Sequence, residues 1–140
     1  MIEYRNVPLV KRVCDALERE INNAVRAQGM TYSQIQFLLR LSEADGGALP
    51  LKELEAMLSV SQAAIAGLSK RLEQKDYIVS YRDAMDKRVK HAKITPLGLL
   101  KCSEAHEHMD AIENALGLTT IEARLFNELL HKAGDNLIKR

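Results

Sequence analysis

The sequence has 140 residues and a formal net charge of +1, with 46% hydrophobic and 28% charged residues. This composition excludes a disordered chain, a collagen-like repeat and, with two cysteines, a disulfide scaffold. No apolar run reaches the roughly 18 residues of a membrane span, and residues 1–5 lack the apolar segment of a secretory signal, so we expect a cytoplasmic protein. Only 4% of the residues are aromatic, which favours helices over a β-sandwich or barrel.

The N-terminal part predicts two helices. Apolar residues recur every three or four positions from Leu9 to Val25, which is typical of an amphipathic helix, and Gly29 can end it. Thr31 or Ser33 can cap a second helix, which the turn sequence Asp45-Gly46-Gly47 ends.

The next two helices are short and close together. The third follows Pro50, and Ser61 can cap a fourth that continues to about Lys75. Because a connection of about three residues joins them, the pair predicts a helix-turn-helix.

The pattern then changes from helix to strand. Residues 77–81 and 89–94 are rich in β-branched side chains, and the polar loop 82–88 separates them. A hairpin beside a helix-turn-helix is a wing. Thr95 caps a fifth helix with Pro96 at its first position, Gly117 ends it, and Thr119 or Thr120 begins a sixth.

The outward face of the fourth helix is unusual for a solvated surface. Ile65, Leu68 and Leu72 define its inward face, whereas small residues and one amide occupy the first two turns of the opposite face. Gly67 costs about 1 kcal/mol relative to Ala within a helix. Small side chains allow a helix to enter the DNA major groove, although the same face could pack against another helix.

Basic residues are concentrated around the predicted wing. Between Lys70 and Lys93 there are eight Lys or Arg residues and four acidic ones, so this segment carries +4 on a nearly neutral chain. A local excess of positive charge is typical of a phosphate-binding surface. Arg88 suits a narrow minor groove, and Asp86 can hold its guanidinium through paired hydrogen bonds.

The order of elements and one long motif resemble the MarR family of bacterial transcriptional regulators. The motif comprises Leu72-Glu73, the wing sequence Asp86-Lys87-Arg88 and the helix restart Ile94-Thr95-Pro96-Leu97-Gly98. The resemblance implies a mainly helical winged helix-turn-helix with a small β-hairpin, in residues 31–95. It also implies a homodimer made by residues 1–30 and 96–140, which binds a pseudo-palindromic operator.

The resemblance and the residue pattern together give the predicted sites. DNA contacts are expected from the fourth helix and the wing, at Ser61, Gln62, Ala63, Ala66, Gly67, Lys70, Arg71, Lys75, Arg82, Asp86, Lys87 and Arg88. Dimer contacts are expected from the apolar stripes of the first and last helices, at Val10, Val13, Leu17, Leu125, Leu129 and Leu137. A small aromatic effector is a further expectation, with a pocket near Ile35, Leu38 and Met57.

The chain departs from the family pattern in three places. Asp76 stands where the family usually has Gly, and Ser80 where an Arg is common, with Arg82 as a substitute. Ala64, Ala66 and Gly67 replace the hydroxyl and basic residues typical of the fourth helix. We therefore expect DNA shape and backbone contacts to contribute more to specificity than usual.

The sequence also bears on enzyme activity, metal binding, thiol sensing and protein docking. The chain has no nucleophile motif or glycine-rich phosphate loop, so we expect no enzyme activity and no cofactor. Three residue pairs with helical spacing could each contribute to a metal site, but the pairs point to different helix faces, which does not favour one. These pairs are Cys102–His106, Glu104–His108 and His106–Asp110. Cys14 could sense oxidants, but its place in an apolar stripe predicts a buried, inert thiol. Two alternatives to this function stay open: a winged helix that docks a protein partner, and a thiol-based redox-sensing regulator that uses Cys14.

Overall fold

The computed structural model describes residues 5–140, which form six α-helices and a small antiparallel sheet. The helices are α1 (Val7–Ala27), α2 (Tyr32–Glu43), α3 (Leu51–Leu58), α4 (Gln62–Gln74), α5 (Pro96–Ala115) and α6 (Thr120–Ile138). The strands are β1 (Ala48–Pro50), β2 (Ile78–Arg82) and β3 (Lys90–Ile94). The predicted fold class, mainly helical with a β-hairpin wing, is confirmed.

The sheet contains a strand that the sequence did not predict. β3 lies in the centre and pairs with both β1 and β2. Ala48 pairs with Lys93 and Pro50 with His91, so β1 ties the end of α2 to the wing. Three residues are too few to show an alternating pattern, and this strand exists only because β3 supplies its partner.

The chain divides into two compact units, one that runs to Met109 and one that comprises Asp110–Arg140. In the first unit, the core is built by the helix-turn-helix, α2 and the sheet. Its fully buried side chains include Phe37, Leu38, Leu41, Leu54, Leu72 and Ile78. The predicted inward face of α4 is confirmed, because Ile65, Leu68 and Leu72 are all buried.

The predicted helix starts are confirmed by their hydrogen bonds. Thr31 accepts from the Gln34 amide at 3.2 Å while the Gln34 side chain accepts from the Thr31 amide, which forms a capping box. Ser61 Oγ accepts from the Ala64 amide at 3.1 Å. Thr119 caps α6 in the same reciprocal way with Glu122. These polar side chains satisfy amides that have no partner within the helix.

The backbone conformation and close packing explain two residues next to the wing, Asp76 and Gly98. Asp76 has φ +63°, so the left-handed conformation that the family pattern assigns to Gly is adopted here by Asp. A Cβ at Gly98 would clash with the Tyr77 carbonyl oxygen and with the Ile94 side chain. Glycine is therefore required at position 98, because α5 closely approaches Ile94 of β3 and Tyr77, the residue before β2.

The second unit has an apolar surface of its own. Ile121, Leu125, Phe126, Leu129 and Leu130 lie on α6 and are all exposed in the single chain. Between residues 5 and 140, no helix has the length and apolarity that crossing a bilayer requires.

Candidate nucleic-acid interface

The helix α4 presents a shallow, nearly uncharged surface at its start. Gln62, Ala63 and Ala66 are exposed. A Cβ at Gly67 would meet only the Arg71 guanidinium, at 4.0 Å, so no neighbour among residues 5–140 requires glycine here.

The inward side of α4 includes one polar residue beside Ile65, Leu68 and Leu72. Ser69 is only 2% exposed, and its Oγ has no hydrogen-bond partner among the described residues. The inward surface of α4 is therefore wider than the three apolar residues alone suggested.

The end of α4 is tied directly to the wing. The Glu73 carboxylate accepts from the Ser80 amide of β2 at 3.2 Å. The Tyr77 amide donates to the Leu72 carbonyl at 3.0 Å, and Thr95 Oγ1 donates to the Asp76 carbonyl at 2.7 Å. These bonds give the Leu72-Glu73 motif a physical role, because they fix the wing relative to α4.

Asp86 holds Arg88 as predicted. Asp86 Oδ1 accepts from Arg88 Nε at 3.0 Å, and Oδ2 accepts from Nη2 at 3.1 Å. The ion pair raises the pKa of Arg88 and lowers the pKa of Asp86, in each case chiefly through this side-chain hydrogen bond. The Arg88 side chain is nevertheless 91% exposed, so an oriented cation projects from the wing.

A second carboxylate, which sequence reasoning did not assign to the site, organises the wing loop. Asp83 Oδ2 accepts from the amides of Met85 at 2.9 Å and Asp86 at 3.0 Å. Its other oxygen lies 2.9 Å from His91 Nε2. The pKa of Asp83 is lowered, first by the bond to His91 and then by the two amides. The eight-residue separation of Asp83 and His91 becomes informative only once the hairpin register is known.

The remaining predicted DNA contacts are distributed over the same unit. Lys70 and Arg71 on α4 are exposed, as are Arg82 and Lys87 on the wing. Lys75 differs from them, because its ammonium donates to the Gly29 carbonyl at 3.0 Å. This bond gives Lys75 a role in holding the end of α1.

The two cysteines lie in opposite environments. Cys102 is buried, and burial raises the pKa of its thiol. Cys14 is exposed, so the expectation of a buried thiol was wrong. Its helix stripe is covered only farther along α1, where Ile21 packs against the core and Val25 is buried.

The predicted dimer residues are accessible in the single chain. On α1, Val10 is 49% and Val13 41% exposed, and Leu17 is half-buried. On α6, Leu125, Leu129 and Leu137 are each more than half exposed.

The residues suggested for an effector pocket differ in exposure. Ile35 and Leu38 are buried in the core, whereas Met57 is 45% exposed. A cavity of about 320 Å³ lies against α1 and the start of α2, lined by Cys14, Leu17, Glu18, Ile21, Asn22 and Tyr32. Within residues 5–140, no three His, Cys, Asp or Glu side chains converge in a way that could hold a metal ion.

Solved structures of known proteins share this fold. A mutant MepR from S. aureus has a TM-score of 0.82 at 20% identity, covering 96% of this chain and 99% of that one. AbsC, a MarR family transcriptional regulator from Streptomyces coelicolor, has a TM-score of 0.77 at 16% identity over 100% and 99% of the two chains. A mutant MarR from E. coli complexed with operator DNA has a TM-score of 0.75 at 24% identity over 91% and 92%.

The sequence itself carries the family signal. No curated protein matches the chain, but residues 30–90 match the model of the MarR family. This segment includes α2, the helix-turn-helix, β2 and the wing loop described above. Over residues 30–90 the chain is therefore similar to the MarR family, and the solved structures described above share its fold.

Proposed function

We propose that the chain is a dimeric regulator of transcription, most simply a repressor, that binds a pseudo-palindromic DNA operator. The observation that carries the proposal is the oriented, 91% exposed Arg88 on a wing that hydrogen bonds fix to α4. In this arrangement the start of α4, whose exposed side chains are mostly small, enters the major groove, and Arg88 enters the adjacent minor groove. The solved E. coli relative in complex with operator DNA supports this use of the fold.

Each part of the interface has a separate task in this proposal. The exposed Lys70, Arg71 and Lys87 contact phosphates and supply affinity. Gln62 can read an adenine edge, and the methyl groups of Ala63 and Ala66 can contact thymine methyl groups. The remaining specificity comes from the width and deformability of the DNA.

Two copies of the chain are required for a symmetric operator. One recognition helix covers only a few base pairs, and paired helices must lie about one helical turn apart. The exposed apolar residues of α1 and α6 provide surfaces through which a second copy can pair. In this proposal residues 1–30 and 96–140 contain the dimer contacts and residues 31–95 bind DNA.

Release from DNA by a small molecule is part of the proposal. The cavity of about 320 Å³ beside α1 is large enough for a small aromatic compound, and its lining is mainly apolar. Such a compound would change DNA affinity only through its different affinities for the DNA-competent and incompetent states.

The proposal is tested by fluorescence anisotropy of the purified protein on a duplex from the region upstream of its own gene. A scrambled duplex is measured in parallel, at several salt concentrations, for wild type, Arg88→Ala and Arg19→Ala. Arg19 is an exposed residue of α1 and serves as the charge-matched control.

We expect binding that prefers the upstream duplex, weakens steeply with salt and is reduced by Arg88→Ala but not by Arg19→Ala. Weak binding that is equal on both duplexes and indifferent to Arg88→Ala would contradict operator recognition. Salt-independent capture of a protein partner by α4 would favour the interaction-module alternative.

A further inference from the structure

The ring of His91 is held in one orientation on the outer face of the sheet. His91 on β3 pairs with Tyr81 on β2, and their rings stack with centroids 5.1 Å apart and planes at 9°. On the other side, β1 places Pro50 opposite His91. The His91 side chain is only 17% exposed. These neighbours fix the direction in which Nε2 points.

Asp83 connects this fixed ring to the wing loop. One carboxylate oxygen lies 2.9 Å from His91 Nε2, and the other accepts from the amides of Met85 and Asp86. The loop is closed further by the Asp83 amide, which donates to the Val89 carbonyl at 2.9 Å. Because its two oxygens bind different elements, Asp83 transmits the position of β3 to the turn.

The same turn carries the arginine that the proposed function places in the minor groove. The Asp86 amide is held by Asp83, and the Asp86 carboxylate holds the Arg88 guanidinium. Two carboxylates in series therefore link the ring of His91 to the exposed cation at the end of the wing.

We propose that His91 positions the wing for DNA through Asp83, and that protonation of its imidazole strengthens DNA binding. The inference rests on the proposed DNA-binding function and assigns that site a dependence on pH. Histidine is the side chain that ordinarily changes charge between about pH 5 and 8. Protonation converts the bond to Asp83 into an ion pair, which holds the loop more firmly, and adds a positive charge to the wing.

The charged and titratable groups around the ring are few. Asp83 attracts the protonated ring from the loop, and Tyr81 on β2 contributes the aromatic ring that stacks on it. Lys93 lies two residues along β3, on the same face of the sheet as His91. The residues that β1 and β2 pair with Lys93 are Ala48 and Val79, which carry no charge. Asp83 is therefore the dominant partner.

The test compares DNA affinity at about pH 6 and about pH 8, at constant ionic strength. His91→Gln retains an N–H donor but does not titrate. His106→Gln removes an exposed imidazole of α5 and is the matched control. We expect the Kd of wild type and of His106→Gln to be about threefold lower at the lower pH, as for a partly exposed ion pair. His91→Gln should bind DNA with the same Kd at both values.

A second readout does not depend on DNA. In wild type, the amide NMR signals of Met85 and Asp86 should shift with pH together with the His91 imidazole signals, and in His91→Gln they should remain fixed. An equal pH dependence of DNA binding in wild type and His91→Gln, with binding intact, would overturn the role of His91 alone. If the Met85 and Asp86 amide signals of wild type shift with pH but the protein shows no preference for the upstream duplex, the proposed function is overturned. The role of His91 in DNA binding is then overturned with it.

Discussion

Asp86 presents a residue-scale test that separates orientation from charge. Asp86→Asn removes a negative charge from a DNA-facing loop, which by electrostatics alone should tighten binding. We expect the opposite, because Asn is neutral and keeps only one acceptor oxygen. Arg88 then loses the ion pair and one of its two side-chain hydrogen bonds, and its ordering must occur on binding. The Kd measured by anisotropy should rise by about threefold to tenfold.

The control for this variant is Asp110→Asn, which makes the same charge change at an exposed position on α5. It should leave the Kd within error of wild type. An Asp86→Asn protein that binds as tightly as wild type, or more tightly, would show that Arg88 does not need to be held.

Two residues with positive φ, Asp76 and Gly29, provide a second test at this scale, which measures the free energy of unfolding. Asp76→Gly should raise the free energy of unfolding by up to about 1 kcal/mol, because it removes the strain of a non-glycine residue at positive φ. Gly29→Ala should lower it by about 1 kcal/mol, since a Cβ at Gly29 would meet no atom within 4 Å and only its φ of +70° matters. Urea denaturation measures both. Equal stabilities for the two variants would contradict the backbone explanation.

At the scale of elements, Gly67 lowers the stability of α4 and leaves its outward surface free of a side chain at that position. Gly67→Ala should raise the free energy of unfolding by about 0.5–1 kcal/mol, because the added methyl group meets only open space near Arg71. The same methyl group should weaken operator binding, since it projects into the proposed protein–DNA contact. Thermal unfolding and anisotropy on one sample measure the two effects.

Gly134→Ala on α6 is the matched control, because a Cβ at Gly134 would meet no atom within 4 Å. It should stabilise the protein in the same way and leave the preference for the operator unchanged. A Gly67→Ala protein that is more stable and binds the operator with unchanged Kd would show that α4 approaches its partner less closely than proposed.

The elements differ in how far the sequence could predict them. Helix starts were readable because Thr31, Ser61 and Thr119 satisfy local backbone amides. The strand β1 was not readable, because three residues acquire a strand geometry only from β3. Periodicity placed Cys14 on an apolar stripe, but it does not reveal how far along α1 the neighbouring elements extend. The site showed the same division: the local pair Asp86–Arg88 was predicted, and the cross-strand link from Asp83 to His91 was not.

At the scale of the whole molecule, the near-zero net charge conceals two surfaces of different character. The segment from residue 70 to 93 carries +4, and the rest of the chain sums to −3. The first unit presents the basic wing, and the second presents an apolar α6. A protein of this kind can bind DNA locally while its average charge remains ordinary. The apolar surface of α6 then needs an explanation of its own, and pairing with a second copy is the one proposed above.

Leu125→Asp combined with Leu129→Asp tests that explanation. Both side chains are exposed in the single chain, at 55% and 53%, so the change should leave the fold of each unit intact and the circular dichroism spectrum unchanged. If α6 pairs two copies, buried carboxylates at the interface should make the protein monomeric in sedimentation. Because one chain reaches only one half-site, operator affinity should fall by about a hundredfold or more.

Met57→Asp, an equivalent change at a 45% exposed residue of α3, should remain dimeric. A double variant that sediments as a dimer would contradict pairing through α6, and a monomer with wild-type affinity would contradict the need for two recognition helices.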